Sequence, residues 1–233
     1  MCDRLAQRHG ASAYLQELAP FDTFIHGYVA PEASITNGFV CQAPVMPKHQ
    51  IMVFIQGPNG VETRHVRWGW SPVWSMGTRP PFTHLPLKTA SGSKAFRKMW
   101  REGRVLVATD GWFESEPITA TRDSARTLFF RHSSGRPVFL AGLAQISEPA
   151  SGCDGLVLLS LDETALAGHQ RLLALQGTEA MKWLDPALEP AHAIEELSGC
   201  LQGSTAFTCS RLGTTRRTNT TDGEASTWML RGK

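Results

Sequence analysis

RVLVATDGWFE, residues 104–114, decides how this chain is read. Its first half is a β-prone, largely apolar run. Asp110-Gly111 then supplies a tight turn, and Trp112, Phe113 and Glu114 follow. Similar signals lie on both sides. IMVFIQ (51–56), GPNG and VETRHVRWGW read as a hairpin around a Pro-Asn-Gly turn. TLFFRHSSGRPVFLAGL (127–143) reads as a second hairpin turning at Ser-Ser-Gly, and GLVLLSL (155–161) is apolar for long enough to be a buried strand. Helical patterns are short: 4–18, 94–103 with Gly103 as C-cap, 175–184 and 190–198. Residues 20–50 read as extended segments and turns, and 71–92 as an irregular, proline-rich loop. No βαβ rhythm appears. The expected class is α+β, a mostly antiparallel, curved or barrel-like sheet with short flanking helices. Neither an internal repeat nor a linker divides residues 1–233, so one domain is expected.

Composition narrows the function classes. Hydrophobic residues make up 42% of the 233, enough for a core. Lacking any apolar run of 18 residues, the sequence predicts no membrane span, and the charged N-terminus does not read as a signal peptide. A cytoplasmic protein is expected. The five cysteines (Cys2, Cys41, Cys153, Cys200, Cys209) form no CxxC pair or Cys/His cluster, so no metal or other cofactor is expected. A net charge of +2 is only weakly basic, so a nucleic-acid partner would need a local patch.

Four features could carry chemistry. Removal of Met1 would leave Cys2 with an α-amine and a thiol on one carbon frame. The amine forms a Schiff base with an aldehyde, and the thiol closes a five-membered thiazolidine. Taken alone, Cys2 reads first as an incidental second residue. Glu114 follows a tight turn and two aromatics; burial there would make it a usable acid or base, while a strand-end surface glutamate is the plain alternative. His169 suits proton transfer near neutral pH, or is structural. RWGWSPVW (67–74) sets three tryptophans beside arginine, and Arg79 follows. These could stack bases and meet phosphates, or fill a core. KAFRKMWREGR (94–104) and RLGTTRRT (211–218) add basic residues that could equally be solvated faces.

Together these features resemble the SOS response-associated peptidase (SRAP) family, whose members shield abasic sites in single-stranded DNA. The likeness runs almost end to end. MCDR stands where the family has Met-Cys-Gly-Arg, and QAP (42–44) where it has Val-Ala-Pro. RWGWSPVW matches Trp-Gly-aromatic-x-Pro-x-Trp, and RVLVATDGWFE matches a strand ending Asp-Gly-Trp/Phe-aromatic-Glu. RPVFLAGL and LLSLDETALAGHQR follow in order, the latter where the family ends on His-Asp-Arg. The resemblance implies that Cys2 is the nucleophile forming a covalent thiazolidine with the opened sugar. It implies that Glu114 assists ring opening and that His169 moves protons. Arg4 and Arg171 would contact phosphate, and Trp74 would stack or wedge. Arg79 and His84 complete the implied DNA-binding set. The implied partner is single-stranded DNA containing abasic sites, bound by a monomer, with peptidase or lyase-like crosslinking activity.

The departures mark a divergent member. His84, Pro86 and Lys88 stand where the family has Asn, Arg and Glu, and Asp3 replaces a glycine beside the nucleophile. With an ordinary pKa of about 6.5, His84 would become donor-only in mild acid, and Asp3 would favour the protonated amine. Crosslinking that increases from about pH 6 to 8 is the expectation. A DNA-binding module with weakened crosslinking, and a cysteine peptidase or amidohydrolase using Cys2, stay open as alternatives.

Overall fold

Arg104–Thr109 is buried at all six positions, as a strand covered on both faces must be. The computed structural model describes residues 2–18, 43–75, 78–116, 126–161, 171–189, 192, 195, 197 and 206–212. Most of the helix expected over 190–198, the stretch 20–42 and the basic tail beyond 212 lie outside the described residues. In chain order the strands are β1 (Cys2–Ala6), β2 (Gln50–Gly57), β3 (Gly60–Arg67), β4 (His84–Pro86), β5 (Arg104–Thr109), β6 (Gly111–Glu116), β7 (Arg126–His132), β8 (Val138–Gln145), β9 (Gly155–Ser160), β10 (Ala174–Leu175) and β11 (Phe207–Leu212). The helices are α1 (Ala11–Leu18), α2 (Leu87–Gly92), α3 (Arg97–Glu102) and α4 (Thr178–Leu184).

The strands form two sheets. One has four strands, in the order β1-β6-β7-β11; the other has seven, in the order β3-β2-β5-β8-β9-β4 with β10 on β8. All pairings are antiparallel except β4 with β9. A single bridge from Trp68 to Leu156 links the end of β3 to β9, so the larger sheet curves without a closing ladder. Strand alternation divides the core. Leu106, Ala108, Val157 and Leu159 face a cluster that includes Tyr14, Trp100 and Trp183 from the helices. Val105, Val107, Leu156 and Leu158 face Cys2, Leu5 and Trp112 of the four-stranded sheet.

Several expectations change. Residues 4–18 are a strand followed by a helix, because Leu5 exchanges backbone bonds with Val45 (2.9 and 2.8 Å) while β1 pairs with β6. Here sheet pairing overrides a helix-compatible pattern. The 127–143 segment does turn locally, but it is no hairpin: β7 pairs with β6 and β11, whereas β8 pairs with β5, β9 and β10. Pro137 has no N–H to start a return ladder, and the stacked rings of Trp112 and Phe130, 5.5 Å apart, hold β7 to its own sheet. The loop expected over 71–92 contains β4 and α2. Arg104 is buried rather than part of a basic face. It donates to the carbonyls of Trp100, Leu188 and Asp185 and lies over the Trp183 ring. The 51–67 hairpin and the Gly103 cap appear as read; Gly103 N–H donates to Met99 O (2.8 Å).

At Asp110 the chain passes from the seven-stranded sheet to the four-stranded one. Its carboxylate accepts from Arg8 N (2.9 Å), Tyr14 OH (2.8 Å) and His9 Nδ1 (2.9 Å). Its own N–H donates to Ala6 O (2.8 Å). A side chain at Gly111 would collide with the Phe130 carbonyl and the Phe129 ring. Gly111→Ala is therefore expected to cost at least about 2 kcal/mol, lowering the melting temperature by about 4–8 °C. Gly92→Ala, with open space around it, serves as the control. Thermal melts of both variants check this; a Gly111→Ala melt matching that of Gly92→Ala would refute the close-approach account.

Candidate active site

The site is built where β1 lies beside β6. Cys2 is directly opposite Glu114 in an antiparallel pair, which brings their Cβ atoms to about 4.5–5.5 Å. A register shift between Cys2 and Arg4 bends the strand there. Both residues are 3% exposed. Glu114 Oε1 accepts from Trp112 Nε1 at 3.0 Å, and the Cys2 thiol donates to the Arg4 carbonyl with sulfur 3.6 Å away. The chain-end cysteine is thus covered, contrary to the exposure usual for termini. Burial pushes the Cys2 thiol up, and the Glu114 carboxylate acts in the same direction. The sulfur therefore stays protonated at neutral pH.

Two polar residues anchor this terminus. Gln7 Nε2 donates to Met52 O (3.0 Å) and Ala108 O (2.9 Å), and its Oε1 accepts from Met52 N (3.1 Å). Asp110 holds the following turn as described above. Asp3 is turned aside: its carboxylate takes Arg4 Nε at 3.1 Å and Ser115 Oγ at 2.5 Å. Arg4 also donates to Thr127 Oγ1 (3.3 Å) and lies 5.1 Å over the Phe113 ring. Its guanidinium is held in place, yet the side chain is 32% exposed.

His84 belongs to the same face. It pairs in register with Leu158, and its ring sits edge-on to Trp68, 5.7 Å between centroids. Trp68, Leu158 and Cys2 share one core cluster. Thr83 Oγ1 and His84 Nδ1 are 3.0 Å apart. Burial holds His84 down to about 4, and the positive chain terminus acts the same way. The expected titration near 6.5 is therefore corrected: burial keeps the imidazole neutral throughout the mildly acidic range. Arg171, whose carbonyl accepts from Leu161 N (2.8 Å), stands at the end of β9.

The remaining expected residues divide. Trp68 and Trp70 are core, whereas Trp74 is 60% exposed beside Phe82. Arg79 is exposed, its backbone bonded to Ser75. The contacts of Trp74 and Arg79 run to Phe82 and Ser75, not to Cys2 or Glu114. His169 lies outside the described residues. The basic α3 packs Met99 and Trp100 into the cluster on the opposite face from Cys2, so its lysine and arginines form a solvated helix face. Ser160, fully buried on β9, escaped notice in the sequence. The signal was there: it continues the Leu156, Leu158 alternation inside an apolar run. Among the described residues no group of three or more His, Cys, Asp or Glu could hold a metal, and no helix is long and apolar enough to cross a membrane.

Comparisons with known proteins bear on the family and the fold. Residues 1–214 match the family model described as SOS response associated peptidase (SRAP). Over 213 residues the chain is 25% identical to the abasic site processing protein YedK of Escherichia coli, covering 86% of this chain and 87% of that one. Among solved structures, a phage-related protein of Bordetella bronchiseptica superposes with a TM-score of 0.71 at 22% identity, covering 91% of this chain and 95% of its own. A protein of Bacteroides thetaiotaomicron gives 0.63 at 14% identity, covering 91% and 92%. Both structural likenesses bear on the fold.

The depressed His84 makes stability depend on pH. The folded protein keeps this imidazole neutral down to about 4, while the unfolded chain takes a proton near 6.5. Its contribution is complete above about 6.5 and is lost as pH falls toward 4. Between about pH 7 and 4.5 the parent should lose roughly 2–3 kcal/mol more than His84→Asn, which does not titrate. Denaturant unfolding of both proteins at the two pH values checks this, and parallel losses would contradict it.

Proposed function

The chain belongs to the SOS response associated peptidase family, and from that premise we propose that it processes abasic sites in single-stranded DNA, linking to them through Cys2. The observation that carries this reading is the pairing of Cys2 with Glu114 inside the seam between the two sheets. With Met1 removed, the α-amine attacks the aldehyde carbon of the opened sugar and expels its oxygen as water, giving a Schiff base. The sulfur then adds to the same carbon, its proton passing to nitrogen, and the thiazolidine closes. Glu114 is the group beside Cys2 suited to relay that proton, and His169 is a second candidate for proton transfer. The raised thiol favours this order, because the amine opens the reaction and a resting thiolate is not required. The same property disfavours a cysteine peptidase that begins with a thiolate. Arg4 and Arg171 are proposed to meet phosphates, with Arg79 on the outer loop. Residues 1–233 act as a single, monomeric domain in this reading.

Intact-mass measurement after mixing with an abasic single-stranded oligonucleotide tests the chemistry. The parent lacking Met1 should gain the mass of the oligonucleotide minus one water. Cys2→Ala, and a version with one extra residue before Cys2, should show no adduct; normal adduct formation by the extended version removes the amine from the mechanism.

Trp74 is the proposed stacking residue. Trp74→Ala should weaken binding to single strands by about 1–3 kcal/mol. Fluorescence anisotropy on matched single-stranded and duplex oligonucleotides checks this, and an equal loss on both would exclude stacking on an unpaired base.

A further inference from the structure

Among the described residues, two buried side-chain atoms on the Cys2 face have no hydrogen-bond partner, His84 Nε2 and Ser160 Oγ. Strand alternation places them together. Leu156 and Leu158 of β9 face the Cys2 cluster, Val157 and Leu159 face away, and Ser160 follows in phase with the first pair. On β4, Leu85 faces away, so His84 shares the side of its partner Leu158. Pro86 is the register partner of Ser160, which sets His84 one diagonal step from it. Strands about 4.8 Å apart with about 3.3 Å of rise per residue put the two Cα atoms roughly 8 Å apart. The side chains shorten that span, and one bridging oxygen can cover the rest. The orphaned atoms of Trp100 and Arg104 belong to the opposite face. A buried hydroxyl left unpaired costs folding free energy, so an orphan of this kind calls for a ligand or a role.

We infer that His84 Nε2 and Ser160 Oγ form an uncharged subsite for a hydroxyl group of the ligand, which makes Cys2 selective for hydroxyl-bearing aldehydes. The inference rests on the Cys2 reading above. A hydroxyl fits because it both donates and accepts, as Ser160 does. It therefore satisfies His84 Nε2 in either tautomer, whichever way the Thr83 hydroxyl fixes Nδ1. An imidazole held down to about 4 offers that single neutral contact throughout the working range. A phosphate is a poorer occupant. It only accepts when fully ionised, and it brings charge among described side chains that are all uncharged (Trp68, Thr83, Leu158, Leu172), the positive chain terminus that acts on His84 being a backbone amine and not a side chain of the pair's surroundings. Both residues are positioning groups, since neither is required for the bond to sulfur or nitrogen.

The test compares two small aldehydes, 2-deoxy-D-ribose and butanal, with parent, Ser160→Ala and His84→Leu, each beginning at Cys2. Adduct formation is followed by intact mass. The ratio of the deoxyribose rate to the butanal rate should fall about tenfold in each variant, the size of one lost hydrogen bond. Ring closure of the free sugar is common to all three proteins and cancels from the comparison. Ser160→Ala removes an unpaired atom, so it should melt no lower than the parent, which separates loss of selectivity from loss of fold. Unchanged ratios, or a Ser160→Ala protein that melts well below the parent, overturn the subsite. A separate arm with the abasic oligonucleotide judges the DNA reading: a parent that discriminates the two aldehydes yet forms no adduct with the oligonucleotide keeps the subsite and loses the DNA substrate.

Discussion

A chain terminus is normally the least constrained part of a fold, because few contacts offset its backbone entropy. Here residues 2–6 form an edge strand against residues 111–114, and the segment after them is fastened at two points. Gln7 bonds β2 and β5 together through both ends of its amide, and Asp110 gathers the Arg8 amide, the His9 ring and the Tyr14 hydroxyl. These polar contacts fix where residue 2 lies relative to residue 114. The depth of Cys2, its thiol donating to the Arg4 carbonyl and its nearness to Glu114 all follow from that pairing.

Burial then governs the chemistry of each group at the seam. It keeps the thiol protonated and the His84 ring neutral. Asp3 is turned to Arg4 and Ser115, and Arg4 lies over Phe113, which leaves Glu114 as the acidic side chain paired with Cys2. A cysteine built for thiolate chemistry would sit beside a cation or a helix N-terminus and be partly exposed. This environment has the opposite character. It suits a reaction in which the amine acts first and the protein supplies orientation and exclusion of water.

Much of the fold was legible because local signals agreed with the final structure. The 51–67 hairpin carries its own turn, β5 and β9 are apolar throughout, and Gly103 stops α3 where the Ala144 carbonyl crowds it. The misread segments are those whose partners lie far along the chain. β1 looks helical until β6 is placed beside it, and β7 looks like a partner of β8 until the rings of Trp112 and Phe130 assign it to the other sheet. Motif and resemblance singled out Cys2 and Glu114, and the structure sets them opposite one another. The pH behaviour of His84 and the orphaned hydroxyl of Ser160 were not legible, since both come from burial by residues of several strands.

The separation between β1 and its partner also has a consequence in time. Cys2 pairs with Glu114, 112 positions further along the chain (114 − 2). At about 5–20 residues per second, synthesis of the intervening chain takes roughly 6–22 seconds. Throughout that interval the first strand lacks its β6 partner. Once β6 is complete, the same residues become the edge of a folded sheet with their side chains inside. The pairing that sets Cys2 against Glu114 therefore cannot exist before residue 114 has been made, so the order of synthesis fixes the earliest moment at which the site can form.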